Sequence, residues 1–132
     1  MRRLDLTTRS REELCDVTHE VREMLQREGW KDGALVLFCP HTTAALTVNE
    51  GADPDVVRDV VTNLRGLIPK RGDYRHAEGN SDAHIKTSLV GPSLTLIVEN
   101  GRLCLGTWQK VFFCEFDGPR QRQLWIQWLP SA

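Results

Sequence analysis

Leu94-Thr95-Leu96-Ile97-Val98-Glu99-Asn100-Gly101-Arg102-Leu103-Cys104-Leu105 reads as two β-type runs joined by a two-residue turn. A tight hairpin turn needs positive φ at both central positions, and Asn-Gly adopts it at little cost, so the stretch predicts an antiparallel pair. Downstream, Lys110 to Phe116 and Gln121 to Leu129 continue in strand-rich sequence, divided by the turn-like Asp117-Gly118-Pro119. The closing third is therefore a set of about four strands.

Working back from the hairpin, Gly91-Pro92 stops a short helix running through His84, Lys86 and Leu89, with Ser81 or Asp82 as its cap. Before it, Lys70 to Asp82 is polar, glycine-containing and rich in titratable groups. So long a loop inside a small domain points to function. Asp53-Pro54 supplies an N-cap and a first-turn proline for a helix with the apolar stripe Val57, Val60, Val61, Leu64, Leu67 and Ile68. Its valines lower its helix propensity, so packing must hold it. Leu35 to Cys39 is a strand closed by Pro40, which puts His41 at a strand end, and Ala45 to Val48 reads as the next strand. Further back, Ser10 with Glu13 fits a capping box, starting a helix whose stripe is Leu14, Val17, Val21, Met24 and Leu25 and which stops at Gly29. Arg3 to Thr7 alternates as a first strand. The order of strand, helix, two strands, helices and about four strands predicts one α+β domain over 1–132, mostly antiparallel, with helices packed to one side.

A chain of 132 residues, 40% hydrophobic and 27% charged, has the size and composition of one globular core. Seventeen basic against eighteen acidic residues give a net charge of −1, which supplies no general field for nucleic acid or an anionic membrane. No signal-like or membrane-spanning apolar run is present, so a cytoplasmic location is expected. Cys15, Cys39, Cys104 and Cys114 are scattered singly and read as buried, reduced side chains rather than a zinc or redox motif.

Chemistry-bearing residues gather in four clusters: His41-Thr42-Thr43, Asn49-Glu50, His76 through Lys86, and Trp108-Gln109 with Asp117 to Arg120. Two imidazoles eight residues apart, with Glu78, Asn80 and Asp82 between them, could ligate a divalent cation, although the spacing matches no compact metal motif. His19 falls apart from these clusters, on the first helix. Lys86 and Arg120 are candidates for an oxyanion. No glycine-rich phosphate loop and no nucleophile elbow occur, so no nucleotide cofactor is expected.

Together, His41-Thr42-Thr43-Ala44-Ala45, Asn49-Glu50, His76-Ala77-Glu78-Gly79-Asn80, Ala83-His84-Ile85-Lys86, the run Gly101 to Gln109 and the run Glu115 to Arg120 resemble the YjbQ-like family, also called UPF0047. The resemblance covers nearly the whole chain. It implies a homotrimer of β-sandwich-like antiparallel sheets with helices, and a secondary thiamine-phosphate synthase activity. That reaction joins a pyrimidine pyrophosphate ester to a thiazole phosphate with loss of pyrophosphate. Carried onto this sequence, His41, His76, His84, Asp82 and Lys86 become the catalytic candidates, and Thr42, Asn49, Asn80, Lys86 and Arg120 the substrate and phosphate contacts. His41, His76, His84 and Glu78 become the candidate ligands of a zinc or magnesium ion. The remaining alternatives are a metal-dependent hydrolase or transferase of another phosphorylated metabolite, and a non-catalytic metabolite- or metal-binding protein.

Overall fold

The computed structural model describes residues 1–132. Strands β1 (Arg2–Thr7), β3 (Gly33–Phe38), β5 (Ser93–Glu99), β6 (Arg102–Leu103) and β8 (Gln121–Pro130) form a five-stranded sheet in the order β1-β8-β3-β5-β6. Strands β2 (Glu13–Asp16), β4 (Ala44–Glu50) and β7 (Gln109–Glu115) form a three-stranded sheet in the order β2-β7-β4. Every pairing is antiparallel. The hairpin forms as its sequence predicts, with Asn100 at φ 51° and Gly101 at φ 75°.

Alternation decides what each strand buries. Leu35 and Leu37 of β3 and Leu124 and Ile126 of β8 point into the space between the sheets, where Leu46, Val111 and Phe113 meet them. Each such side chain contributes about 1.5–3 kcal/mol by leaving water. The central strand β7 is buried on both faces. Val111 and Phe113 face the main core, while Phe112 and Cys114 face a second cluster with Ala45 and Ala83. Helices α2 (Pro54–Leu67) and α3 (Ser81–Val90) cover that second face, through Val57, Leu64 and Val90.

Helix α1 (Thr18–Glu28) instead inserts Val21, Met24 and Leu25 into the main core. It also starts later than its sequence suggests. The Ser10 capping box does not form, because Glu13 to Asp16 pairs along the free edge of β7 as β2, and the Asp16 carboxylate accepts the Thr18 N–H at 3.0 Å. Sheet pairing here overrides a helical pattern that does hold from Val17 onward. Asn80, rather than Ser81 or Asp82, is the N-cap of α3.

One ion pair lies deep between these layers. Arg122 of β8 donates from Nε to Glu115 Oε1 at 2.9 Å and from Nη2 to Glu115 Oε2 and Thr43 Oγ1, while Thr8 Oγ1 donates to Glu115 at 2.6 Å. Burial alone would raise the Glu115 carboxyl, but the bonds from Arg122, Thr8 and the Asp117 N–H outweigh it and hold it below the ordinary carboxylate range. Glu115→Ala would leave the guanidinium buried and unpaired, so a loss of about 3–5 kcal/mol is expected by urea denaturation. Because the folded pKa is depressed, the contribution of Glu115 is complete above its unfolded value of about 4.3 and fades as pH falls through the folded one. The urea midpoint of the parent should drop on acidification in that window and that of Glu115→Gln should drop less; parallel curves would refute the assignment.

Candidate functional site

Helix α3 carries most of the site. Its position depends on a buried chain of charge: Lys86 Nζ donates to Asp82 Oδ2 at 2.9 Å and to Glu12 Oε2 at 3.0 Å, and Arg11 grips both oxygens of Asp82 at 3.1 and 3.0 Å. Arg65 of α2 closes the chain on Glu12 at 3.1 Å. Burial pushes the Asp82 carboxyl up, but Arg11 and Lys86 more than reverse this and keep it below its ordinary value. Lys86 and Asp82 have no exposed side-chain surface. Their charges brace α3 against the segment before β2, so neither is free for the ligand that its residue type suggests.

The same buried helix presents His84 outward. Its ring stands edge-on to that of His76, with centroids 5.3 Å apart, and His76 Nε2 lies 3.7 Å from Glu78 Oε2. Two cavities meet at His84. One, of about 540 Å³, is lined by His41, Thr42, His84, Thr87, Ser88 and Pro92. The other, of about 370 Å³, is lined by Asp73, Tyr74, Arg75, His76, Ser81, His84 and Ile85. Both volumes suit a small metabolite. The three candidate histidines thus share one continuous surface with His84 in the middle.

His41 is held in a defined state. Its Nε2 accepts the backbone N–H of Gln123 at 2.9 Å, so that nitrogen carries no proton and the neutral ring bears its proton on Nδ1. Burial, reinforced by the nearby positive charge of Arg122, lowers its pKa below the ordinary imidazole value. With one nitrogen occupied and the other protonated, His41 is a hydrogen-bond donor and not a metal ligand while that bond stands. No three His, Cys, Asp or Glu side chains converge as a metal shell in this chain. His76 and His84 offer two donor nitrogens, and Glu78 is largely exposed. The expected set His41, His76, His84 and Glu78 therefore does not assemble around one point, because His41 is turned to the β8 backbone.

Other candidates divide. Asn80 is buried and donates to Asp117 Oδ2 at 2.8 Å, and Arg120 spends its guanidinium on Asp117 at 2.7 Å, so these two form a local bracket. Gly118 sits in that bracket with its N–H on the Arg11 carbonyl, where an added Cβ would run into the Ser10 carbonyl oxygen. Asn49 lies five residues along β4 from Ala44, about 17 Å of strand. It turns its Oδ1 to the Glu50 N–H and joins neither cavity. Of the cysteines, Cys39 and Cys114 are buried with thiols pushed by burial up to about 11 and about 12, so neither is a thiolate at neutral pH. Cys104 is exposed, against expectation.

Three residues in the cavities escaped the sequence reading. Arg75 makes no ion pair and sits beside His76 and His84, and Thr87 and Ser88 stand one helical turn beyond His84. The Thr87 hydroxyl is buried without a partner. The charged loop was the visible signal for Arg75; nothing in the sequence marks Thr87.

The YjbQ family model, described as UPF0047 protein YjbQ-like, matches residues 2–131. The chain belongs to the UPF0047 (YjbQ-like) family. A UPF0047 protein of Methanocaldococcus jannaschii is 50% identical over 92% of this chain and 88% of its own length, and YugU of Bacillus subtilis is 49% identical over 96% and 97%. A crystal structure of an uncharacterised YjbQ/UPF0047 protein from Clostridium acetobutylicum superposes with a TM-score of 0.95 at 50% identity, covering 98% of this chain and 100% of that one. A YbjQ-like protein of unknown function from Sulfolobus solfataricus reaches 0.93 at 28% identity over 98% and 96%. The match to YugU runs through nearly the whole of both chains, and no helix is long and apolar enough to cross a membrane.

The His41 geometry predicts that long-range ¹H–¹⁵N spectra will show the Nδ1–H tautomer and a midpoint below the ordinary value of about 6.5. A ring protonated on Nε2 near neutrality, or a midpoint above that value, would contradict it.

Proposed function

We propose that this chain is a transferase acting on a phosphorylated metabolite at the surface centred on His84. The observation that carries the reading is the position of His84 at the junction of two cavities, with a neutral donor histidine on one side and an arginine free of ion pairs on the other. The reaction to test first is the one the family resemblance implies. In it, a C–N bond forms between the pyrimidine's methylene carbon and the thiazole nitrogen as the C–O bond to pyrophosphate breaks. Pyrophosphate leaves with the electron pair.

Each side chain has a part in that scheme. Arg75 offers a fork of N–H donors to the departing phosphate oxygens, and His76 and His84 beside it donate or take protons as charge develops. The Thr42 hydroxyl, with His41 Nδ1–H, binds the phosphate of the other substrate, while Ser88 spends its hydroxyl proton on the His84 carbonyl at 3.0 Å. Lys86 and Asp82 act by holding α3, not by touching the substrate. The homotrimer implied by the resemblance belongs to the same proposal, and light scattering should return about three times the monomer mass.

The assay follows pyrophosphate release from the two phosphorylated substrates. Arg75→Ala and His84→Ala should each lower turnover about 10²-fold or more while the melting transition stays cooperative, the size of loss seen when a transition-state donor is removed. Lys86→Met should instead lower stability by about 3–5 kcal/mol, because it takes the buried cation from between Asp82 and Glu12, which keep only Arg11 and Arg65. Turnover unchanged in both site variants would misplace the site. Saturable binding without product in the parent, across a panel of phosphorylated metabolites, would make the protein a binder.

A further inference from the structure

A third cavity lies away from the histidines, between α1 and the β5–β6 hairpin. It measures about 230 Å³ and is lined by Arg22, Leu25, Gln26, Gly101, Arg102 and Leu103. Leu25 and Leu103 are its two apolar lining residues, and both are buried. Arg22 and Arg102 are its only charged residues, and the ion pairs of the chain involve neither. Glu23, next to Arg22, faces His19 at 3.3 Å, and Glu99, across the ladder from Arg102, makes no ion pair with it. Two guanidiniums thus share one recess with no carboxylate among its walls.

The frame of this recess is rigid. The Asn100 N–H donates to Asp32 Oδ1 at 3.0 Å and the Gly101 N–H to the Lys31 carbonyl at 2.9 Å, so the hairpin tip is fastened to the loop that follows α1. Gly29 ends α1 in the left-handed region, with its N–H and that of Trp30 on the last carbonyls of the helix. The backbones bearing both arginines are therefore set before any ligand arrives, which limits the ordering cost of binding to the side chains.

We propose that this recess is a second binding site, for a small oxyanion of phosphate or phosphomonoester type. Guanidinium forks match the oxygens of such a group, and two of them balance a dianion. The volume is below the ~300 Å³ at which metabolite pockets begin, so the ligand is close to inorganic phosphate in size or bears a short stem against Leu25 and Leu103. The site is independent of the His84 surface, and its failure would leave the proposed transferase reading intact.

The test is a titration of the full-length chain with inorganic phosphate, followed by backbone amide NMR, against sodium chloride at equal ionic strength. The amides of Gln26, Gly101 and Leu103 should shift saturably with an affinity about millimolar, what two charge-assisted contacts support, and should not follow chloride. Arg22→Gln combined with Arg102→Gln should weaken the response at these amides at least about tenfold, while His84→Ala leaves it unchanged. A linear response, an equal response to chloride, or an unaltered curve in the double variant would overturn the proposal. If the double variant does not fold, the parent titration alone decides, since saturation at Gly101 is required and its absence is sufficient to refute the site.

Discussion

Lys86 carries a charge where water does not reach it, and the site hangs from the helix that this charge fixes. A buried ammonium is costly unless close acceptors surround it, and Asp82 and Glu12 do so at 2.9 and 3.0 Å. Those two carboxylates then need further donors, which Arg11 and Arg65 provide. The result links α3 to the segment before β2 and to α2. His84, Thr87 and Ser88 lie on that helix and inherit its position. Since α3 has scarcely any amphipathic character of its own, it depends more on this polar brace than on an apolar stripe.

The second buried pair plays the corresponding part for His41. Arg122 and Glu115 connect β8 to β7 and, through Thr43 and Thr8, to the start of β4 and the end of β1. The residue after Arg122 donates its backbone N–H to the His41 ring. A backbone donor is always present and never reverses its polarity, so it specifies the imidazole's tautomer more firmly than a titratable partner would. Two polar networks on different layers thus converge on one surface, each setting one histidine. Hydrophobic burial gives the sheets their cohesion, but these directional contacts give the site its geometry.

Much of this was legible in the residues. The Asn100-Gly101 turn, the Asp53-Pro54 helix start and the Pro40 strand end all act through local backbone sterics, and each appears where the sequence places it. The clustering of His41, His76 and His84 in the sequence corresponds to one shared surface, although His41 turns its ring to the β8 backbone. What escaped was set by pairing across the chain. The strand Glu13–Asp16 forms only because β7 offers an edge, and Lys86 is withdrawn from ligands only because Glu12 lies 74 residues earlier and reaches it in space. Arg120 is likewise occupied by Asp117, a short-range pair that the sequence contains without revealing that it closes.

A near-neutral chain concentrates its binding capacity in those cations that the fold leaves unpaired. Seventeen basic residues against eighteen acidic ones rule out a global attraction for anions, but they do not say which positive charges are spent internally. Lys86, Arg11, Arg65, Arg120 and Arg122 are spent on carboxylates of the chain. Arg75 sits in a concavity without such a partner, as do Arg22 and Arg102 together. A salt-bridged cation can serve an incoming anion only by giving up its carboxylate, whereas an unpaired one gives up water alone. Of two cations equal in sequence, the one that makes no ion pair of its own is therefore the better anion site, and that distinction ranks Arg75 above Lys86 and Arg120 in this fold.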